Sequence, residues 1–400
     1  MTRDLLSCLR GSGERLRPAL FRQRALRPWR ELLVGPLRVF SPILSVPCSI
    51  PRSVRFFLPS FPRPNSKAEA IFRELTLAGV PANAIWIPGK DGLKIWEKLK
   101  RTMFYLPRAL CSYSMLIFRS RRLDRADLQM LLGRETYRSL MRRYPNLMPI
   151  IISDVSPTLH MLWSAAVTEG NGAIWWQDDY HHSGPLPQPV VAAVILNQDG
   201  LKAVRGKSPE AFVVARDQTP VEQIRAIPTR PRVGVATNAF FLADVTQRRY
   251  LNDVLRALGA SMLRIRLHPN SRLTAEDFPE PWIEVALPNE LLDEFTRTVD
   301  FVIVGNSAVQ LRLLCEGVPV VHIPGMDPHG FDSYGYVKRG FCFGIERVQS
   351  IDVVRIRAFY ADPALKEKIR AYVSVSKDEY LGSLSDFARS DLMNGQSKLR

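Results

Sequence analysis

Residues 299–323 alternate between apolar runs and polar or glycine turns in a way that few folds accommodate. The apolar run at 299–304 ends at the polar turn Gly305-Asn306-Ser307, and a predicted apolar helix follows it and ends at Gly317. A second apolar run ends at Ile323. A strand, a polar turn, a helix, a glycine stop and another strand are typical of a βαβ unit, which belongs to a parallel sheet covered by helices.

The chain from residue 53 onward repeats this alternation. Apolar runs at 148–152, 173–176 and 190–196 are separated by predicted helices and by proline or glycine breaks. Strands that alternate with helices form parallel sheets, and 400 residues suffice for two cores. The sequence therefore predicts an α/β protein with two Rossmann-like domains. The predicted segments are a basic N-terminal arm, a first domain, a connection, a second domain and C-terminal helices, at residues 1–52, 53–205, 206–232, 233–350 and 351–400.

Three polar turns of the predicted second domain follow predicted strands. They contain Thr237 and Asn238, His268 and Pro269, and Asn306 and Ser307. Because ligands of open α/β sheets bind outside the carboxyl ends of the strands, we expect these turns to meet around one ligand. A histidine can give a charge-assisted hydrogen bond to a phosphate, and the N–H groups of a helix start also favour an anion. A structural loop histidine and a plain helix cap are the alternatives for His268 and Thr237.

These turns resemble the nucleotide-donor half of GT-B glycosyltransferases that carry a His-Pro motif. That group includes bacterial sialyltransferases, Kdo transferases of capsule synthesis and CDP-glycerol glycerophosphotransferases. The resemblance implies two Rossmann-like domains that face each other across a cleft. It also implies that the donor phosphates contact the residues matching the motif, which are His268, Pro269, Asn306 and Ser307. The run from Asp332 to Phe341 resembles the end of the CDP-glycerol pattern.

The chain departs from these families at two places. It has Asn306-Ser307 where they have two small hydroxyl residues, and Arg312 where they have a carboxylate that holds the nucleotide ribose. The nearest acid, Glu316, is expected to point elsewhere on the helix. The sequence favours a donor activated by CMP or CDP and leaves a UDP-activated donor as the alternative.

The densest polar cluster of the chain follows the predicted strand at 173–176. It consists of Gln177, Asp178, Asp179, Tyr180, His181 and His182. Transfer of a sugar needs a base that takes the proton of the acceptor hydroxyl group, and a carboxylate or a histidine can be this base. We predict that Asp178, Asp179 or His181 is the base. A metal site and a solvated loop are the alternatives, and Asp154 and Asp91 are further candidates for the base.

Two basic residues, Lys338 and Arg339, follow the last predicted strand of the second domain. They are candidates to neutralise the phosphate that leaves, with a plain surface role as the alternative. No tightly bound cofactor and no metal are expected. The cluster at 177–182 lacks zinc-finger spacing, and the resembled families do not rely on a tightly bound metal.

The charge of the chain predicts anionic partners. It has 55 Lys and Arg residues against 39 Asp and Glu residues, a formal net charge of +16. Eight arginines lie within residues 1–30, where they alternate with leucines and aromatic residues. A basic amphipathic segment of this kind is typical of binding to an anionic membrane surface, and a solvated arm is the alternative. No nucleic-acid partner is expected.

The sequence contains no run of apolar residues near the ~18 that a spanning helix needs. Residues 1–30 also lack the apolar block of a signal peptide. The five cysteines are scattered and form no CxxC pair, which favours reduced thiols. We expect a cytoplasmic protein that can touch the inner face of the membrane.

Together these features predict a glycosyltransferase of bacterial surface-polysaccharide synthesis. It would transfer a sugar or a polyol phosphate from a CMP- or CDP-activated donor in the second domain to a saccharide acceptor in the first. One alternative is a transferase or an epimerase that uses a UDP-sugar. The other is a basic binding protein that has the fold but no catalytic activity.

Overall fold

The computed structural model of the chain divides into two compact units. Unit 1 comprises Met1–Arg216 and Asp378–Arg400, and unit 2 comprises Asp217–Lys377. The residues that the structure describes are 50–51, 53–59, 67–87, 125–152, 157–177, 186–216, 223–238, 241–242, 244–268, 271, 273–287, 290–327, 331–346, 352–373, 383–387 and 389–390.

Unit 1 contains a parallel sheet with helices between its strands. Its elements, in chain order, are β1 (Phe56–Phe57), α1 (Lys67–Leu77), β2 (Ile85–Trp86), α2 (Arg125–Arg143), β3 (Met148–Ile151), α3 (Pro157–Glu169), β4 (Ile174–Trp176), β5 (Ala192–Ile195), α4 (Gln198–Lys207) and β6 (Phe212–Ala215). The strand order is β2-β1-β3-β4-β5-β6. Because β2 and β3 pair with opposite sides of β1, the chain crosses from one side of β1 to the other after β2, and the switch point lies between β1 and β3.

The central strands of this sheet consist almost entirely of apolar residues. Every residue of β3, β4 and β5 is buried. A parallel strand covered by helices on both faces needs an apolar side chain at each position, which explains these continuous apolar runs. Helix α3 begins with Pro157, which fits the first turn of a helix, and is followed by Gly170 at a φ of 77°.

Helices α2 and α3 are joined at their ends by polar bonds. Both Arg138 and Arg142 donate to the carboxylate of Glu169, the latter at 2.6 Å. The side-chain amide of Asn171 donates to the carbonyl oxygens of Tyr144 and Leu147 at 2.8 and 3.1 Å. These bonds fix the chain where it enters β3 and where it leaves α3.

Unit 2 contains a second parallel sheet. Its elements are β7 (Val233–Ala236), α5 (Val245–Ala257), β8 (Leu263–Arg266), β9 (Ile283–Val285), α6 (Leu292–Arg297), β10 (Phe301–Val304), α7 (Val309–Cys315), β11 (Val320–His322), β12 (Phe343–Gly344), α8 (Val353–Tyr360) and α9 (Pro363–Val373). The strand order is β12-β11-β10-β7-β8-β9. Strands β7 to β9 extend to one side and β10 to β12 to the other, so the topological switch point lies between β7 and β10.

The two sheets confirm the predicted α/β class with two Rossmann-like domains. The units divide after Arg216, within the predicted connection at 206–232. Strand β6 lies inside the predicted connection at 206–232, because the four prolines of that segment fall outside Phe212–Ala215. The predicted C-terminal helices at 351–400 are divided between the units. Tyr360 of α8 accepts hydrogen bonds from the N–H groups of Val320 and Phe343 in unit 2, whereas Phe387 is buried against Phe212 of β6.

Candidate functional site

The carboxyl ends of four strands of unit 2 form one edge. Ala236 of β7 pairs with Arg266 of β8 and with Val304 of β10, which in turn pairs with His322 of β11. The loops that follow these residues therefore begin at the same level of the sheet. Because the switch point lies between β7 and β10, this edge is the expected ligand site of unit 2.

Thr237 connects the ends of β7 and β8 by hydrogen bonds. Its backbone N–H donates to the carbonyl oxygen of Arg266 at 3.1 Å, and its hydroxyl oxygen accepts the backbone N–H of His268 at 3.1 Å. Thr237 is buried, whereas His268 is half-buried. The hydroxyl group of Thr237 thus holds His268 at the edge, and its predicted contact with a nucleotide stays a prediction.

Asn306 connects three loops at the end of β10. Its carbonyl oxygen accepts the side-chain amide N–H of Asn238 at 3.2 Å, across the switch point. Its Oδ1 accepts the backbone N–H of Ser333 at 2.7 Å. Its backbone N–H and its Nδ2 both donate to the carboxylate of Asp327, at 2.7 and 3.1 Å. The backbone N–H and the side-chain amide of Asn306 are thus engaged within the protein, and Asn238 gives one N–H to the same loop. Their predicted contacts with a donor stay predictions.

Gly305 allows the segment that contains Asp327 to approach the end of β10. A Cβ on Gly305 would lie 2.5 Å from Oδ2 of Asp327 and 2.6 Å from Cβ of Met326. Real Cβ atoms do not come so close, so a larger residue would push this segment away. The glycine of the predicted turn is therefore required by packing within the protein.

His322 lies beneath this edge in a buried polar network. It is fully buried; its Nε2 accepts the backbone N–H of Asp332 at 3.1 Å, and its Nδ1 lies 3.0 Å from Nε2 of Gln310. A lone pair at Nε2 assigns the proton of the neutral ring to Nδ1, which faces the carbonyl oxygen of Gly305. Burial lowers the pKa of His322 and outweighs the opposing effect of the carboxylates of Asp332 and Asp327. The ring is therefore neutral at pH 7.

Asp332 holds the segment that follows Phe331 against the buried polar network of His322. This residue has a φ of 53°, and its carboxylate accepts the backbone N–H groups of Val337 and Lys338 at 3.0 and 2.8 Å. A left-handed backbone at a residue other than glycine costs about 1–2 kcal/mol. The hydrogen bonds made by its carboxylate and by the N–H to His322 offset that cost.

Of the two basic residues predicted to face a phosphate, Arg339 is engaged within the protein. Its guanidinium donates to the carbonyl oxygen of Tyr334 at 2.9 Å and lies 5.4 Å from the ring centroid of Tyr372. Lys338 is exposed. Lys338 is therefore the one of the two whose ammonium group is open to an anion from solution. Its predicted contact with a phosphate stays a prediction.

Ser307 stands at the start of the loop into α7 and is half-buried. Its hydroxyl oxygen is 3.4 Å from the N–H of Val309. As a hydroxyl group also carries one donor hydrogen, Ser307 can still donate to an acceptor at the edge. Helix α7 begins only at Val309 and has 7 residues. The helix predicted to follow the turn Gly305-Asn306-Ser307 is therefore present, and Ala308 is its N-cap.

Arg312 and Glu316 lie on the same side of α7. The guanidinium Nε of Arg312 donates to Glu316 Oε1 at 2.9 Å, an i,i+4 ion pair. The expectation that Glu316 points elsewhere was wrong, because residues four apart meet on the surface of a helix. Arg312 is therefore paired on the helix surface, with its side chain 60% exposed.

In unit 1 the predicted catalytic residues Asp178, Asp179 and His181 lie outside the described residues, as do Asp154, Asp91 and, in unit 2, Pro269. The predicted arm at 1–30 also lies outside them. Two polar residues at the carboxyl ends of β4 and β5 are described. Gln177 and Asn197 are buried, and their Oε1 and Oδ1 accept the N–H groups of Leu196 and Gly200 at 2.7 and 2.9 Å. Their amide nitrogens have no hydrogen-bond partner among the described atoms.

The sequence interpretation missed Asp327, Gln310 and His322. A polar residue in the otherwise apolar run at 318–323 marks His322 as a buried polar group that needs partners. Asp327 carried no such signal, because its partner Asn306 is 21 residues away.

Among the described residues, no group of three or more His, Cys, Asp or Glu side chains could hold a metal ion. Within the same residues, no helix combines the length and the apolar character that crossing a membrane demands.

Comparison with known proteins finds similarity of fold. No protein-family model matches the chain, and no curated protein matches it. Solved structures that it is similar to include S. aureus MnaA with UDP, at 10% identity and a TM-score of 0.43 over 83% of this chain and 93% of that one. The glycosyltransferase SnogD from Streptomyces nogalater has 13% identity and a TM-score of 0.44 over 85% and 98%. MurG of Acinetobacter baumannii has 12% identity and a TM-score of 0.40 over 68% and 83%.

Proposed function

We propose that this protein is a glycosyltransferase that binds a nucleotide-activated donor at the carboxyl edge of unit 2. It transfers a sugar or a polyol phosphate from a CMP- or CDP-activated donor to a saccharide acceptor in the synthesis of a surface polysaccharide. The acceptor binds unit 1. A UDP-sugar donor, with transfer or epimerisation as the reaction, is the alternative within the same class.

The observation that supports this proposal is the arrangement of the switch point between β7 and β10. The side-chain amide of Asn238, after β7, donates to the carbonyl oxygen of Asn306, after β10. His268 stands beside them because Thr237 accepts its backbone N–H at 3.1 Å. An open α/β sheet binds ligands in the crevice at this point, and two Rossmann-like units provide separate places for donor and acceptor.

Two side chains of this edge suit a phosphate. The imidazole of His268 can donate a charge-assisted hydrogen bond when it is protonated, and the hydroxyl group of Ser307 can donate a neutral one. Asn306, Asn238 and Thr237 act as positioning residues for these two, since their bonds run between the loops.

The chemistry of transfer requires little from unit 2 beyond the phosphate contacts. The acceptor hydroxyl group attacks the donor carbon or phosphorus, the bond to the nucleotide phosphate breaks, and a base takes the hydroxyl proton. We assign the base to the cluster at 178–182 of unit 1, with Asp178, Asp179 and His181 as candidates. Charge that develops on the leaving phosphate is stabilised by donors on unit 2.

Nucleotide binding tests the donor site. A cytidine nucleotide at a hundredfold excess over its Kd should stabilise the fold by about 2.7 kcal/mol, because the ligand binds only the folded state. His268→Ala and Ser307→Ala should each remove a large part of this shift in Tm. Calorimetric titration with CMP, CDP, UMP, UDP and GDP then gives the preference for base and phosphate number.

The matched control is Ser53→Ala, which removes an exposed hydroxyl group in unit 1. It should leave both the apo Tm and the nucleotide shift unchanged. Equal shifts for wild type, His268→Ala and Ser307→Ala would show that the nucleotide binds elsewhere. The absence of any shift with all five nucleotides would refute the donor site itself.

The basic binding protein without catalytic activity is the second candidate. It is favoured by one observation: Asn306, predicted to hold a phosphate, holds the carboxylate of Asp327. The two candidates differ in turnover. A protein that binds a nucleotide-activated sugar and neither transfers nor hydrolyses it over hours, with any acceptor saccharide tried, is a binding protein.

A further inference from the structure

Two buried amide side chains lie at the carboxyl ends of β4 and β5 in unit 1. Gln177 is 1% exposed and Asn197 is 5% exposed. Oε1 of Gln177 accepts the backbone N–H of Leu196 at 2.7 Å, and Oδ1 of Asn197 accepts that of Gly200 at 2.9 Å. These bonds fix the orientation of each amide, because an amide turned over would place one donor against another. Nε2 of Gln177 and Nδ2 of Asn197 therefore point away from these bonds as donors.

Both amide nitrogens lack a hydrogen-bond partner and are shielded from solvent. A buried donor that nothing satisfies is destabilising, and native proteins contain few of them. In the described part of unit 1, Nε1 of Trp176 is the only other buried side-chain nitrogen or oxygen in this state. All three groups are donors, so what this edge lacks is an acceptor of hydrogen bonds. A ligand oxygen would supply it.

The two amides belong to one place, the first turn of α4. Asn197 is the N-cap of this helix, which has 10 residues. A Cβ on Gly200, in the first turn, would lie 2.1 Å from Oε1 and 3.3 Å from Nε2 of Gln177. The amide of Gln177 is thus packed against the turn that Asn197 caps. Gln198, which follows Asn197, is exposed, so the start of the helix reaches the surface of unit 1.

The chemistry of this turn selects the group that it can bind. Both amides offer N–H donors, and the positive end of the helix dipole also favours an electron-rich oxygen. The first turn contains one acid, Asp199, and no cation, so the site binds through hydrogen bonds and not through an ion pair. The oxygen of a carboxylate or of an acetamido carbonyl only accepts hydrogen bonds and matches this set. A sugar hydroxyl group must also donate and matches it less well.

We propose that Gln177 and Asn197 form a subsite, the amide subsite, that binds a carboxylate or acetamido oxygen of the acceptor saccharide. The inference rests on the proposed function, in which this saccharide binds unit 1, and narrows it to a sugar with such a group. Gln177 directly precedes Asp178 and Asp179, two candidates for the base. Because consecutive Cα atoms are about 3.8 Å apart, a sugar bound by Gln177 is held near these candidates.

The experiment titrates wild type with three methyl glycosides and follows binding by NMR. The glucuronide carries a carboxylate, the N-acetylglucosaminide carries an acetamido group, and the glucoside carries only hydroxyl groups. The glucuronide, the N-acetylglucosaminide or both should bind about tenfold more tightly than the glucoside, the factor that one good hydrogen bond provides. The order of the first two distinguishes the two sources of the oxygen.

Two variants remove the donors, and a third is the control. Asn197→Ser keeps an oxygen that caps α4 and removes Nδ2, so it should weaken binding of the preferred sugar about tenfold without lowering the Tm of the free protein. Gln177→Met should weaken the same sugar by a similar factor, with a lower Tm because the N–H of Leu196 loses its acceptor. The matched control, Asn83→Ser, changes an exposed asparagine before β2 and should alter neither binding nor Tm.

Each outcome decides the claim. Equal binding of the three glycosides, or binding of none, overturns the inference, as does unchanged sugar affinity in Asn197→Ser and Gln177→Met. A lower Tm in Asn197→Ser with the sugar preference intact shows that the amide is structural only.

Titration of the same proteins with CMP and CDP separates this inference from the proposed function. Nucleotides that bind while no glycoside does overturn the amide subsite and leave the donor site standing. Glycosides that bind as expected while no nucleotide does refute the donor site and leave the amide subsite standing.

Discussion

Unit 1 and unit 2 both contain a parallel sheet, yet the chain crosses the two sheets at different places. In unit 1 the switch point separates β1 from β3, and in unit 2 it separates β7 from β10. The edge of unit 2 is tied together by side chains that reach from loop to loop, such as Asn238 to Asn306. In unit 1, Gln177 at the end of β4 likewise bonds to Leu196 at the end of β5, 19 residues away, whereas Asn197 bonds to Gly200 in the next turn. The amide nitrogens of both side chains have no hydrogen-bond partner among the described atoms.

The comparison teaches that sheets of one class can build edges of different kinds. The edge of unit 2 has several such bonds between loops, made by Asn306 and Thr237, and they preorganise it for a ligand bound through fixed phosphate contacts. Buried amides with unpartnered nitrogens give an edge that still has donors to satisfy. We therefore expect substitutions in unit 2 to act on donor affinity and substitutions in unit 1 to act on turnover.

The largest effect that would sharpen this division is expected from the polar cluster of unit 1. Replacement of the true base among Asp178, Asp179 and His181 by Asn or Gln should lower kcat by about 10²–10⁴-fold, the usual contribution of such a base. The Kd of the donor should hardly change, because the phosphate contacts belong to unit 2. The measurement is kcat on a verified donor and acceptor, with donor binding titrated separately.

His268→Ala is the corresponding variant in unit 2, and it should weaken donor binding.

Near-wild-type kcat in all three variants of unit 1 would place the base elsewhere, with Asp154 as the next residue to test. Equal losses of kcat and donor affinity in the unit 1 variants would contradict the division of roles between the units.

A smaller effect, on the free energy of unfolding, is expected from two glycines of α4, and it should be opposite in sign at the two positions. A Cβ on Gly200 would lie 2.1 Å from Oε1 of the buried Gln177, whereas a Cβ on Gly206 would meet nothing within 4 Å. Gly200→Ala should lower the free energy of unfolding by about 1–3 kcal/mol, because the amide must leave its bond to Leu196. Gly206→Ala should raise it by about 0.5–1 kcal/mol, because Ala has the higher helix propensity.

Gly305→Ala is the corresponding substitution in unit 2, since its Cβ would lie too close to Asp327 and Met326. It should also cost about 1–3 kcal/mol, and it alone should change nucleotide binding. Hydrogen exchange resolved along the chain assigns each loss of stability to its unit. A gain of stability in Gly200→Ala, equal to that in Gly206→Ala, would show that Gln177 yields easily and that the edge of unit 1 is not packed as described.

The smallest expected effect is a difference between the two units in how their stability depends on pH. Burial lowers the pKa of His322 from its usual 6.5, so the folded state binds a proton less readily than the unfolded state does. Its contribution to stability is complete above pH 6.5 and is lost as the pH falls below that value. In unit 1, burial raises the pKa of Glu169, but the hydrogen bonds from Arg142 and Arg138 outweigh it and leave the pKa below the usual 4.5. That contribution is complete above pH 4.5 and is lost only at lower pH.

As the pH falls from 7.5 to 5.5, unit 2 should therefore lose stability through His322, while Glu169 contributes no change in unit 1. Hydrogen exchange at several pH values measures both. His322→Asn does not titrate and should remove the decline. The same decline in wild type and in His322→Asn would assign it to another group.

Much of the fold could be predicted because it follows from neighbours in the sequence. Continuous apolar runs such as Met148–Ile151 have to be strands covered on both faces, and the turns after them have to lie at the carboxyl edge. The positions of Thr237, His268 and Ser307 at one edge follow from this alone. The predicted connection at 206–232 contains the division between the units after Arg216, and it also contains β6, because its prolines lie on either side of Phe212–Ala215.

The sequence by itself determined the alternation of strands and helices, the two sheets and the set of polar turns at the edge of unit 2. Each of these depends on hydrophobic period, glycine and proline, which act within a few residues. Only the tertiary structure decided that β7 and β10 are neighbours, that Asn238 meets Asn306 68 residues away, and that Asp327 occupies the N–H groups predicted for a phosphate. The partner of a polar side chain is set by distance in space, and that distance exists only once the sheet has formed.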